Sequence, residues 1–371
     1  MSLAITLERP LAVERWLVEG AVARLAKRPE LRPFLLRARD AGGTTAEDSA
    51  EHLFGEASAR RGVAQRILQI AARLGLLVED AGRFSLSTEG DEALRRGEIF
   101  VPERGAWDVW ITMDPLVPTG VLHIEPWTYE ATAFDEVRGD DRDAMNSRRF
   151  SFLPGRLLSA RGSELESVAG GGRMRIEELE AKGERMDAQS DVRVRWDVAS
   201  HRVHIDGEVG ERHVSMTLES PDHSPGSVWN ELLDAADLRP DWDLARGALR
   251  VGFAGTQLRE RQTMARDVTF VSPELVDFGS FDDLTVRGVP LAAKTQRDAE
   301  EWARWRLDKS VTDYATAERF NRWVGEAIAP FGAFAVAMPT RGDAAREAWA
   351  ARGERPTPAV WNLVAAEDWR L

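Results

Sequence analysis

Between residues 57 and 77 the chain carries four arginines, Arg60, Arg61, Arg66 and Arg73, and no acidic residue at all. Guanidinium groups neutralise phosphate, and Arg and Gln make paired hydrogen bonds to guanine and adenine edges in the major groove. Stepped at about 100° per residue, residues 58–74 put Val63, Ile67, Ile70 and Leu74 on one side of a helix. Gln65, Arg66, Gln69 and Arg73 fall on nearly the opposite side. The first group is expected to pack and the second to face outward, toward bases, with Arg60, Arg61 and Arg83 placed for backbone phosphates. The chemistry implied is recognition of double-stranded DNA.

Other constellations carry less. Glu180-Ala181-Lys182 matches the E-x-K half of a Mg²⁺ nuclease site, because alternation puts both side chains on one face of a strand. The upstream acid such a site needs is not evident, although Glu164 and Glu166 are near in sequence. His201, His204 and His213 fall within thirteen residues, but His201 and His204 would point to opposite faces of a strand, so a surface hairpin is expected. No G-x-x-x-x-G-K-[ST], H-E-x-x-H or G-x-S-x-G motif occurs, and the chain has no cysteine. No catalytic residue, metal ligand or cofactor is therefore assigned. Thirteen Trp against two Tyr is an unusual balance. Trp302, Trp305 and Trp323 lie on helical segments and are expected in the core, whereas Trp349, Trp361 and Trp369 are candidates for contact with a protein partner.

The elements that must position these residues follow from periodicity and punctuation. Pro10 with Leu11, Val13, Trp16, Leu17, Ala21 and Leu25 predicts a helix ended by Pro29. Phe34 to Arg39 predicts a shorter helix closing at Gly42-Gly43, and Thr45 with Asp48 predicts a capped start for the next, over 46–54. Ser58 is a candidate N-cap for a long helix to Leu74. Leu76-Leu77-Val78, the turn Asp80-Ala81-Gly82 and Arg83-Phe84-Ser85-Leu86 predict a hairpin, followed by a helix over Thr88 to Arg96. From Trp107 to Leu218 the period becomes two, which predicts antiparallel strands at 106–112, 121–125, 173–181, 192–196, 202–205 and 213–218. Asp135 to Arg149 reads as a long exposed loop. After Pro225 the pattern predicts helices over 228–238, 257–266, 298–307, 312–328 and 343–351 and one extended segment, 249–253.

Thr45 to Arg96 in this order resembles a winged helix-turn-helix. The run Leu74-Gly75-Leu76-Leu77-Val78, then Gly82-Arg83-Phe84-Ser85-Leu86-Ser87-Thr88-Glu89-Gly90, is similar to the end of the recognition helix, the wing and the next helix in MarR- and ArsR-like bacterial regulators. The resemblance covers about fifty of 371 residues and implies DNA binding through residues 58–74. Such modules also serve as protein-interaction and dimerisation units, as in small-molecule O-methyltransferases. The nucleotide-binding turn such an enzyme needs has one candidate, Val168 to Arg173, which lacks its preceding strand.

Charge agrees with this division. Residues 1–105 hold sixteen basic and sixteen acidic side chains, so the whole formal charge of −13 lies in residues 106–371. An acidic body repels nucleic acid and leaves the N-terminal part as the DNA-facing one. The longest weakly interrupted apolar run, Ala327 to Pro339, is thirteen residues, short of the roughly 20 a bilayer needs. No membrane partner is expected, and the cytoplasm is the expected location. The expected fold class is α+β: an N-terminal winged helix (1–105), a central antiparallel β-rich domain (106–224), a C-terminal helical region (225–352) and a tail (353–371). The expected function is a non-catalytic DNA-binding or accessory subunit of a multi-protein DNA-processing or antiphage defence system. A protein partner or a second copy would meet the acidic body. The alternatives are a divergent Mg²⁺-dependent nuclease or other enzyme with its site in the β-rich part, or a winged helix used for protein contact alone.

Overall fold

A computed structural model of the chain describes residues 4–55, 58–127, 150–166 and 173–368. The class is α+β. The first elements in chain order are strands β1 (Thr6–Pro10) and β2 (Val13–Ala26), helices α1 (Arg32–Asp40), α2 (Ala46–Phe54) and α3 (Ser58–Arg73), strands β3 (Leu77–Asp80) and β4 (Arg83–Leu86), and helix α4 (Thr88–Arg96). Strands β5 (Ile99–Thr112), β6 (Val121–Pro126), β7 (Phe150–Phe152), β8 (Glu164–Glu166), β9 (Arg173–Met186), β10 (Ser190–Asp197), β11 (Arg202–Val209) and β12 (Arg212–Glu219) follow. The chain compacts as two units. One is Pro10–Val194 with Val203–Glu219, and the other is Met1–Arg9 with Arg195–Arg202 and Ser220–Leu371.

The first unit is built on a sheet ordered β6-β5-β2-β9-β7, with β8 also paired to β9. Its centre is β2, and this corrects the helix expected over residues 10–25. β2 pairs antiparallel with β5 from Val13↔Thr112 to Ala26↔Ile99 and with β9 on its other edge. The helical stripe left out Val18 and Val22, which are 1% and 0% exposed on the core face beside Trp16. Alternation of 16, 18 and 22 with pairing on both edges gives most backbone groups of the strand a partner, and that outweighs a local helical pattern. Gly20 marks a bulge where β9 crosses closely: a Cβ there would sit 2.3 Å from the Glu178 carbonyl oxygen. Trp16, Val18, Trp107, Val109, Ile111 and Ile124 form the sheet's buried face with Leu153, Leu157 and Ile176.

Residues 27–98 are an insertion between β2 and β5, entered and left where Ala26 faces Ile99. Three helices, the β3–β4 hairpin and α4 close around Phe34, Leu35, Leu68, Leu76, Leu77, Phe84, Leu94 and Ile99. Burial of each large side chain is worth about 1.5–3 kcal/mol. The helix ends are fixed locally. Thr45 accepts a hydrogen bond from the Asp48 N–H at 3.2 Å and Ser87 one from the Gly90 N–H at 2.9 Å, each giving an otherwise unpaired first-turn donor a partner. The Asp48 carboxylate takes a bidentate bond from Arg37 (2.6 and 3.0 Å) and one from the Thr44 hydroxyl (2.6 Å). Arg37 first, and Thr44 next, hold Asp48 below the usual carboxylate range.

A second sheet pairs β10, β11 and β12 in that order. In the other unit the region expected to be mostly helical holds a sheet ordered Trp242–Asp243, Ala248–Val251, Leu284–Ala293 and Ala265–Phe270. Ala248–Val251 and Leu284–Ala293 pair in parallel, with Leu249 opposite Leu291. The helix expected over 257–266 is shorter, Leu258–Thr263, because Met264 takes a left-handed φ of 53° and turns the chain into a strand. Helices Pro225–Ala235, Gln296–Ser310, Ala317–Ile328 and Arg341–Ala350 lie near their expected positions. Trp302 is fully buried, and Trp323 is 7% exposed. The segment read as a tail contains the helix Pro358–Asp368, with Pro at its first position, where a missing N–H costs nothing. Its Val360 and Leu363 are 9% and 7% exposed, and Leu363 joins a cluster with Leu307, Phe320 and Trp323. Among the described residues no helix is long and apolar enough to cross a membrane.

Candidate nucleic-acid interface

Helix α3 is seated by Ala64, Leu68 and Ala71, each 0% exposed. The stripe is rotated from the expected one: Ile67, Ile70 and Leu74 flank it, partly buried, and Val63 is 52% exposed. Two alanines on the contact line let the helix approach its neighbours closely, which larger side chains at those positions would prevent. The opposite face consists of Arg66, Gln69 and Arg73, all exposed, with Gln65 half-buried at its edge. Among the described residues no ion pair engages Arg66 or Arg73. Arg73 also lies in the last turn of α3, where the helix dipole favours a cation.

The remaining arginines are committed to the module itself. Arg60 donates to the Phe54 carbonyl at the end of α2. Arg61 faces Glu47 at 3.6 Å, an exposed pair worth about 0–1 kcal/mol. Arg83 extends from β4 to the carbonyl oxygens of Gly42 (3.3 Å) and Ala41 (3.5 Å), beside Gly43, whose φ of 117° and lack of a Cβ admit the guanidinium. A bridge between Thr44 and Phe84 ties the same loop to the hairpin. The hairpin's other strand exposes Glu79 and Asp80, so its outer edge carries acid where phosphate would need base.

Sequence reasoning missed a polar cluster on the opposite face of the sheet from the tryptophan core. Register places Arg15, Trp110 and His123 side by side across β2, β5 and β6, and Asp108 opposite Glu125 one step along. Asp108 is 3% exposed and binds Arg15 through contacts of 2.6, 2.9 and 3.0 Å. The guanidinium lies 5.0 Å from the Trp110 ring centre and 5.8 Å from that of Trp127. Its hydrogen bonds to Asp108 raise the Arg15 pKa further. The signal was present in the sequence as an acid between two tryptophans, Trp107-Asp108-Val109-Trp110, within an apolar strand.

Other sequence candidates do not converge. Lys182 is exposed with its ammonium 5.1 Å from the centre of the Phe152 ring, and among the described residues no group of three or more His, Asp or Glu could hold a metal ion. His204 contacts the Thr217 hydroxyl at 3.0 Å, and His213 faces Asp206 at 3.5 Å. Trp349 and Trp361 are 40% and 52% exposed and form an edge-on pair 6.3 Å apart, with Arg352 3.7 Å above Trp349. Trp369, the 135–149 loop and the glycine-rich 168–172 stretch lie outside the described residues. No family model matches the chain, and neither a curated protein nor a solved structure does.

Proposed function

We propose that the 27–98 insertion is a winged helix that binds double-stranded DNA through α3, and that the chain is a non-catalytic DNA-recognition subunit. The observation that carries this reading is the outward face of α3: Arg66, Gln69 and Arg73 are exposed and opposite the buried Ala64, Leu68 and Ala71. A helix presenting Arg and Gln in this way suits hydrogen bonding to base edges in the major groove. Element order supports the winged-helix part, since two helices, a third longer helix, a two-stranded hairpin and a closing helix follow one another with a short bridge at Thr44↔Phe84. Arg60, Arg61 and Arg83 then contribute field rather than direct contacts, because each already has a partner inside the module. Such a target places the chain in the bacterial cytoplasm.

A body carrying the formal charge of −13 does not add to DNA affinity, and its size suits an accessory role in a multi-protein DNA-processing or antiphage defence assembly. The exposed Trp349–Trp361 pair with Arg352 is the surface that favours a protein contact, because Trp and Arg dominate interface energetics. The test is duplex binding by the full chain across a salt series. The two direct cationic contacts, Arg66 and Arg73, predict a slope of log affinity against log salt of about −2. Absence of duplex binding at low salt overturns the proposal.

A further inference from the structure

His123 is the least satisfied polar side chain of the β6 face. Its side chain is 1% exposed, and neither ring nitrogen has a hydrogen-bond partner among the described residues. The nearest opposite charge is Glu125, two residues along β6 and so on the same face, at 3.6 Å from Nε2. That carboxylate is already engaged, since Arg212 of β12 donates to it at 3.1 Å. From β5 comes Asp108, and from β2 comes Arg15, which is bidentate to Asp108. Both acids near the ring are therefore neutralised by arginines.

The β11–β12 hairpin meets this face at two points. One is the Arg212–Glu125 bond. The other is Gly210 in the connecting turn, where an added Cβ would lie 3.4 Å from the Trp110 ring, the cross-strand neighbour of His123. We propose that His123 is a proton-operated latch, and that its protonation releases the β11–β12 hairpin from the β5–β6 face.

The chemistry runs in one direction. An imidazolium formed in the closed arrangement is denied water and must share Glu125 with Arg212. Opening takes the Arg212 charge away from the ring and frees Glu125 for it. Burial, opposed by Glu125 and reinforced by Arg212, lowers the His123 pKa from its ordinary 6.5. The open state thus binds the proton more tightly. The latch is intact above pH 6.5 and weakens as pH falls below it, by at most about tenfold in the open population per pH unit for one proton.

Hydrogen–deuterium exchange on the full chain between pH 7.5 and 5.5, corrected for intrinsic exchange, reads this directly. Peptides covering 203–219 are expected to open progressively with acid, while peptides from β2 stay protected. His123→Gln is expected to abolish the pH dependence. Opening of 203–219 that is flat with pH, or that persists in His123→Gln, overturns the proposal. If that variant does not fold, a nuclear magnetic resonance titration of the wild-type imidazole decides: a His123 midpoint that differs from the pH at which 203–219 opens contradicts the latch, and coincident midpoints below 6.5 support it.

Discussion

Replacing Asp108 by Ala isolates the best-built interaction of the sheet's polar face. The carboxylate side chain is 4% exposed and its partner Arg15 27%, and the pair makes three contacts between 2.6 and 3.0 Å. Removing one member of a fully buried ion pair costs about 3–5 kcal/mol, most of it the stranded charge. Arg15 keeps part of its surface in water and its stacking on Trp110, so the stranded charge is partly rehydrated. The expected loss is therefore about 2–3 kcal/mol, near that of charged hydrogen bonds between partly buried groups. The exposed Arg95–Asp91 pair, at a similar 2.7 Å, provides the contrast, because Asp91→Ala should cost less than about 0.5 kcal/mol. Urea unfolding of Asp108→Ala, Arg15→Ala and the double variant closes a cycle whose coupling should reach about 1.5–3 kcal/mol. A coupling near zero, or equal losses for Asp108→Ala and Asp91→Ala, refutes the reasoning.

Three further outcomes are expected within the insertion. Leu68→Ala removes a 0% exposed side chain and should cost about 3 kcal/mol, read as a lowered Tm, with α3 still helical by circular dichroism. Gly90→Ala gains about 1 kcal/mol of helix propensity, yet its Cβ would sit 2.1 Å from the Leu76 carbonyl oxygen, so net destabilisation in urea is expected and stabilisation would contradict the packing of α4. Asp48 has a depressed folded-state pKa, so the stability it contributes is complete above its unfolded value of 3.8 and is lost as pH falls through the folded one. Asp48→Asn should therefore lower Tm at pH 7 and flatten its decline below pH 4, and an unchanged acid profile would dismiss the Arg37–Asp48 bond as its source.

What was legible in the sequence was local. Thr45 and Asp48, the glycines after each helix and the Asp80-Ala81-Gly82 turn act within a few residues, and the elements they bound form where expected. What failed depended on distant chain. β2 is a strand because residues 99–112 and 173–186 flank it, and nothing within 13–26 announces those partners. Strands over 265–293 were missed for the same reason, since Leu284–Ala293 is held between two strands from separate parts of the sequence. On α3 the buried stripe lies one residue on from the one expected: Val63 is exposed, whereas closeness of packing buries Ala64, Leu68 and Ala71. The outward Arg66, Gln69 and Arg73 survive that rotation because the polar arc is wide. Arg83 also reaches the carbonyl oxygens of Ala41 and Gly42, which only the folded loop brings near.

The central claim is that Arg66 and Arg73 on α3 contact duplex DNA. Fluorescence anisotropy of a labelled duplex, titrated at low salt with the full chain and with the Arg66→Glu, Arg73→Glu double variant, tests it most directly. Each direct contact is worth about 1–3 kcal/mol, so the double variant should lose at least about thirtyfold in affinity. Arg95→Glu on α4, whose partner is Asp91, should bind as the wild type does. Equal binding by the wild type and the double variant, with both folded by circular dichroism, would contradict the account.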